Sequence, residues 1–425
     1  MHERAYRQRL EADLARWQAE GLLPQNSADS IRASLRPVPE GVTVATVVGI
    51  VGGLLIAAAF LAFIAANWTV IVRPARFAIL LAGIAGAYGI GAVFERTGRT
   101  HLADLSAGVG TIIFGAAIAL TGQMYHLGED FAGGLLLWAA GALAAAALTS
   151  SRAALAVALV AACIWSGMRV DEMAGMHLPF VGFWLLAAAL ALAWNTPVGR
   201  HLVSLAALVW AIEFAIGCGM GRIANPTFSF IAIVSLLFGA GLAMATRPGE
   251  SMRGFGLTLS TYGAFGLAGG LVFTITGVFR PQTGALPYWI VAAAAVAVAL
   301  AFAAAAMRRW PSHADAGGAA LAGVAIALAL VVASGFIPTR AQSDPWAAYA
   351  LTLAAMLCIV ISGMLDDVRP RVVAGWLGLA GAIAAITWAV RGSLLRRAAF
   401  LAVAGLVAVA LASLLGRLIG RERRA

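Results

Sequence analysis

The sequence has no lysine and little charge of either sign. It holds 19 acidic and 29 basic residues, the latter all arginine, so charged residues make up 11% of the 425-residue chain. A soluble domain carries about a quarter. Hydrophobic residues make up 62%, and the mean hydropathy is +0.90. Together these figures exclude a soluble globular enzyme, a disordered chain and a fibrous protein, and they leave a polytopic integral membrane protein. Cysteine is equally scarce. Cys163, Cys218 and Cys358 lie in apolar runs without CxxC spacing or a neighbouring histidine, so no zinc site or disulfide framework is expected. They fit small packing residues. Walker A, GxSxG and HExxH motifs are missing too, which argues against ATP-driven transport by this chain alone.

The net charge of +10 invites a nucleic-acid reading. In so apolar a chain the arginines instead fit short loops that anchor membrane spans. No nucleic-acid partner, metal or cofactor is expected; the bilayer is the expected partner, with a small solute or lipid as cargo.

Residues 1–41 form a polar N-terminal module, and residues 42–425 a transmembrane helical domain. Within the module Leu10, Leu14 and Trp17 recur at helical spacing among charges, which predicts an amphipathic helix. Gly21 is placed to stop it and Pro24 follows. A second helix is expected from about Ser27 to Leu35, giving a cytosolic hairpin in preference to an interfacial anchor. The first long apolar run starts near Val42, too late for a cleavable signal peptide, so the first span directs insertion.

Beyond the module, apolar runs of membrane-crossing length follow one another. They lie near 43–66, 74–94, 102–121, 131–149, 152–168, 178–194 and 201–219. The series continues near 227–246, 255–278, 286–306, 316–336, 345–365, 371–389 and 397–415. The expected fold is an all-α bundle of about 14 spans, of which the fifth and sixth are the shortest. Twenty arginines fall in the segments on the N-terminal side of the membrane and nine on the other, which puts both termini in the cytoplasm. All 14 prolines fall in the module, in loops or at span ends, so no helix is expected to break. Gly49 with Gly53 and Gly266 with Gly270 give GxxxG spacing, read as plain helix packing. A faint echo relates Ala119–Tyr125 and Trp138 to Thr274–Phe279 and Trp289, six spans later, as in transporters built from parallel repeats. Chance similarity is an equal reading in a chain rich in Ala, Gly and Thr.

Glu213 is the carboxylate set deepest in any run, about halfway along 201–219. A charged acid at a helix centre costs about 2.5–3.5 kcal/mol, so it should face the bundle interior. Two readings stand. It is a proton or cation coupling site, or a protonated acid hydrogen-bonded to a neighbouring helix, with Ser260 or Thr261 as partner. A second cluster lies at the outer face. Asn67 and Trp68 end the first span, and Gln123, Tyr125, His126, Glu129 and Asp130 lie between the third and fourth. These groups suit a cation, a polar headgroup or acid–base chemistry; the bland alternative is interface aromatics and solvated charges. Asp171, Glu172 and His177 add polarity to the next outer loop. Asp366 and Asp367 beside Arg369 and Arg371 read as a neutralised loop.

Three short motifs carry a family resemblance. They are Leu14-Ala-Arg-Trp17 with Gly21-Leu22, Ala65-Ala-Asn-Trp68, and Gly122-Gln-Met-Tyr-His126 with Trp138. In that order they resemble the bacterial membrane-protein family catalogued as domain of unknown function 2157, over about the first 150 residues and hence the first four spans. The resemblance implies a bacterial inner-membrane protein and a shared role for the Asn-Trp and Gln-x-Tyr-His positions; it brings no activity. The leading expectation is a secondary transporter or permease, not an enzyme. Glu213 would couple, and Asn67, Trp68, Gln123, Tyr125 and His126 would line its entrance. The alternatives are a scaffold or sensor acting through the N-terminal hairpin, and a membrane enzyme acting on lipid-linked substrates through His126, Glu129 or Asp130.

Overall fold

The computed structural model describes residues 2–34, 44–67, 70–125, 130–222, 225–276, 297–298, 300–302, 304–308, 313–334 and 345–389. Every regular element among them is helical. The chain divides into two compact units, Met1–Ala62 and Phe63–Ala425.

In the first unit, α1 (His2–Ala19) and α2 (Gln25–Ser34) form the expected hairpin. Gly21, at φ +70°, lets the Leu22 amide donate back to the Trp17 carbonyl at 2.9 Å, a left-handed stop that a side chain at this position would strain. Leu14 of α1 and Ala28 of α2 are fully buried. Arg32 of α2 pairs with Glu11 of α1 at 3.1 Å. The next helix, α3 (Val44–Ala66), is the first long apolar one.

The larger unit continues through α4 (Arg73–Arg96), α5 (Thr100–Tyr125), α6 (Phe131–Thr149), α7 (Arg152–Met173), α8 (Pro179–Trp194) and α9 (Pro197–Met220). It goes on with α10 (Pro226–Ala245), α11 (Glu250–Thr276), α12 (His313–Ala333), α13 (Trp346–Leu365) and α14 (Arg369–Ala389). Ten of the described helices are long and apolar enough to cross a membrane. The chain is thus a multi-pass, all-helical membrane protein, and each run expected between 43 and 278 coincides with a helix. The runs at 286–306 and 397–415 lie wholly or largely outside the described residues, as does the second half of the internal echo.

Prolines start helices instead of breaking them. α4, α8, α9 and α10 each carry one in the first turn, where its missing N–H has no partner to lose. Buried side chains form two main clusters. One joins α6 to α9 with Phe255 and Leu259 of α11. The other joins α10 to α14 with Ala264, Leu267 and Leu271 of α11. The 27-residue α11 is therefore the shared wall. A Cβ on its Gly266 would stand 2.7 Å from Val234, and one on Gly270 would stand 2.9 Å from Phe230, so this glycine pair is a packing surface.

Candidate functional site

The fold brings four polar side chains under one short loop. α7 starts at Ser151, whose side chain caps the Ala154 amide, and stops at Ala174, which has φ 47°. The chain turns through Gly175 to Leu178 and enters α8, whose 16 residues fall eight short of the 24 in α9. At 1.5 Å per residue α8 spans about 24 Å, less than the ~30 Å hydrocarbon layer.

α9 is shaped to receive the loop. A Cβ at Gly217 would stand 2.6 Å from the Gly175 carbonyl oxygen, so only glycine admits the backbone there. Two turns away on the same face, Trp210 donates its indole N–H to the His177 carbonyl at 3.1 Å. Its ring stacks at 6.0 Å on Phe180. The His177 ring stands edge-on to Trp165 of α7, with centroids 4.5 Å apart.

Glu213 lies on this side of α9, seven residues from the helix end and so about 10 Å inside it. It is closer to the loop than the sequence reading placed it. Its carboxyl faces α7. A methyl group on Gly167 would lie 3.6 Å from Oε1, the Ser166 hydroxyl is within hydrogen-bonding reach, and the Cys163 thiol is within electrostatic reach. The partners expected for it are engaged elsewhere: Thr261 donates to the Leu257 carbonyl at 2.8 Å, and Ser260 accepts from Arg371. The true neighbours sit on α7 because α9 packs with that face toward it.

Four polar atoms under the loop are buried without a hydrogen-bond partner: Trp165 Nε1, Ser166 Oγ, His177 Nδ1 and Glu213 Oε2. Native interiors leave few such atoms unpaired, so a group of four marks a place prepared for water, an ion or a ligand. Burial, and then the Arg169 charge, hold the His177 imidazolium below its ordinary value. Sequence reasoning counted His177 only as loop polarity. The signal available was the short sixth run that follows the loop.

The outer-face residues are not gathered around Glu213. The Asn67 side chain donates to the Phe63 carbonyl at 2.9 Å and closes the end of α3. Gln123 and Tyr125 are exposed at the end of α5. Trp68, His126 and Glu129 lie outside the described residues. Asp130 caps α6 by accepting the Gly133 amide at 2.8 Å, and Arg169 of α7 donates to it at 3.0 Å. That amide, and then Arg169, hold its carboxyl below the ordinary value. Trp138 donates to the Thr111 carbonyl at 2.9 Å and ties α6 to α5. At the other end of α5, Asp104 accepts from the Ser151 hydroxyl at 2.6 Å and the Ala153 amide at 3.0 Å.

A second polar centre was missed. Arg371, in the first turn of α14, is fully buried. It pairs with Asp366, donates to Ser362 of α13 at 3.1 Å, and reaches Ser260 of α11 at 3.2 Å. Its guanidinium carbon lies 5.6 Å from the centre of the Phe238 ring of α10. Asp366 in turn rests on Gly318 of α12, where any side chain would collide with the carboxylate. What reads as a neutralised loop is an ion pair inside five helices.

Residues 15–156 match the model of a family described as "Predicted membrane protein (DUF2157)". The similarity is to that part of the chain alone, about a third of its length. It takes in the Asp104, Asp130 and Trp138 contacts, and it ends before Glu213, His177 and Arg371. No curated protein and no solved structure matches the chain.

Proposed function

We propose that this membrane protein is a secondary transporter for a small solute or lipid, with Glu213 as its coupling carboxylate. The observation that carries the reading is the state of that carboxyl: deep in α9, turned toward α7, with Oε2 buried and without a formed hydrogen bond, although the Ser166 hydroxyl lies within reach. A carboxyl kept only for packing would have its bonds satisfied, because nothing repays an unpaired acid in an apolar bundle. A coupling group must instead exchange a bound ion, and a hydrogen bond locked to the protein would oppose that. In this reading the protein sits in a bacterial inner membrane with both termini cytoplasmic, and it is not an enzyme. Asp130, one of the acids an outer-face enzyme would use, is committed to capping α6 and holding Arg169. The entrance role of Asn67, Trp68, Gln123, Tyr125 and His126 draws no support from a contact with Glu213.

The test is the full chain in proteoliposomes with a trapped pH- or sodium-sensitive dye. A panel of sugars, amino acids, nucleosides and dicarboxylates is added outside. The expected result is a solute-dependent ion movement that Glu213→Gln abolishes while the protein remains folded. Solute uptake that is unchanged in Glu213→Gln would reject the coupling role. One observation favours the scaffold or sensor reading: the N-terminal hairpin closes on itself through Leu14, Ala28 and the Arg32–Glu11 pair. If solute flux is absent and Leu14→Asp alone removes the protein's cellular effect, that reading replaces the transporter.

A further inference from the structure

We infer that the ion bound by Glu213 is a proton, and that His177 passes it there along the face of α7 that carries Trp165 and Ser166. The inference rests on the coupling role of Glu213 and adds the ion and its route. The two residues meet the same short stretch of α7. His177 stands against Trp165, while Glu213 faces Ser166 and Gly167. Trp210 and Gly217, on either side of Glu213 along α9, hold the loop above it.

The chemistry of the lining selects the ion. A metal cation wants several oxygen ligands. Here the oxygens are those of Glu213 and Ser166, and the indole N–H of Trp165 is a donor only, which repels a cation. No group of three or more His, Cys, Asp or Glu suited to a metal occurs among the described residues. Imidazole and hydroxyl each donate and accept, so each can take a proton from one side and release one to the other. In the step proposed, a proton from the aqueous side binds one nitrogen of His177. The other nitrogen gives up its proton, by way of the Ser166 hydroxyl or a bridging water, to the Glu213 carboxylate. Glu213 becomes a neutral carboxylic acid and His177 returns to neutral imidazole; the reverse sequence releases the proton.

The surroundings leave these groups in charge of the local field. Around His177, α7 contributes Arg169, with Asp171 and Glu172 at its exposed end, and α8 contributes no titratable group. Around Glu213, α7 contributes Cys163 and α10 nothing titratable. Tyr262 of α11 meets His201 instead, about three turns along α9 from Glu213.

The experiment uses the full chain in proteoliposomes and dicyclohexylcarbodiimide, which modifies protonated carboxyls in apolar settings. Labelling of Glu213, read by mass spectrometry, follows a rapid drop in external pH. The expected result is prompt labelling in the wild type and none in Glu213→Gln. In His177→Gln and in Ser166→Ala the onset should slow by about tenfold or more, with the same final extent. Equal final extent shows that the site is intact, so slowing is a route effect and not misfolding. An unchanged onset in both variants, or competition of sodium with labelling at fixed pH, overturns the inference. Sodium-driven solute uptake that needs Glu213 would overturn it while sparing the transport reading. Fast proton delivery through His177 without any solute flux would do the opposite.

Discussion

Two ionisable groups, Glu213 and Arg371, are carried into the apolar bundle, and their surroundings treat them in opposite ways. Arg371 is paired with an acid and enclosed by two hydroxyls and an aromatic face drawn from α10, α11 and α13, and α12 supplies a glycine so that the acid fits; Arg371 Nε and Asp366 Oδ1 are left without a hydrogen bond, but the charge has its counter-ion. Glu213 has a serine and a thiol within reach, and its buried oxygen is unpaired beside three other unpaired polar atoms. A buried charge whose bonds are made is locked, because leaving costs it every partner at once. A buried acid whose bonds are not made remains able to change its bound ion. By that contrast the Arg371 centre holds helices together, and the Glu213 centre is the place for exchange.

The largest effect should come from breaking the locked pair. Arg371→Met leaves Asp366 buried without its counter-ion and should cost about 3–5 kcal/mol, as should Asp366→Leu. The double variant removes both charges and should recover to within about 1 kcal/mol of wild type, or exceed it. Unfolding of detergent-solubilised protein gives the three values. Additive losses would show that the two residues act separately and would remove one side of the contrast.

Serines in the two centres give a sharper comparison at smaller cost. Ser260→Ala withdraws an acceptor from a buried guanidinium and should destabilise by about 1.5–3 kcal/mol, the range for hydrogen bonds to charged groups. Ser166→Ala deletes a buried hydroxyl that lies within reach of Glu213 but makes no formed hydrogen bond, so the loss should be smaller, about 0.5–1 kcal/mol. Transport should respond in the reverse order, with Ser166→Ala the more damaging. Equal stability losses would mean that Ser166 is a structural hydrogen-bonding group after all.

How much of this the sequence discloses depends on the distance over which each feature is built. Span positions, proline placement and the Gly21 stop are local, and they read directly from hydropathy, the missing proline N–H and left-handed backbone. Glu213 was legible because a lone carboxylate in an apolar run is anomalous wherever it packs. Arg371 was not, because an arginine at a span end beside two aspartates has the appearance of an ordinary anchor. Its burial depends on Ser260, 111 residues earlier. His177 stayed hidden for a related reason. Its burial follows from Trp165 and from the room that Gly217 leaves, each on a different helix, and neither is visible in the loop's own residues.

Acidity should separate His177 from the surface acid Asp130. His177 is held below its ordinary value of 6.5, so on acidification the unfolded chain takes up that proton before the folded one does. Its contribution is complete above 6.5 and is lost as pH falls from there through the folded value. His177→Gln should flatten that part of the stability profile, and an unchanged slope would mean the imidazole is solvated.

The smallest effect belongs to Asp130, whose value is also depressed, here from 3.8, by the Gly133 amide and Arg169. Its contribution is complete above 3.8 and disappears only as pH drops through its lower folded value. Asp130→Asn keeps an oxygen that can cap the Gly133 amide and loses the charge facing Arg169. It should therefore lower the neutral-pH melting temperature slightly and remove the acid limb below about pH 4. Melting curves of the two variants across both windows resolve the contributions, since on acidification the His177 limb sets in at 6.5 and the Asp130 limb at 3.8. If Asp130→Asn also disturbed the limb near pH 6, Arg169 would be transmitting charge from the α6 cap to the imidazole. The surface pair and the buried loop would then form one electrostatic unit, and proton entry at His177 would depend on it.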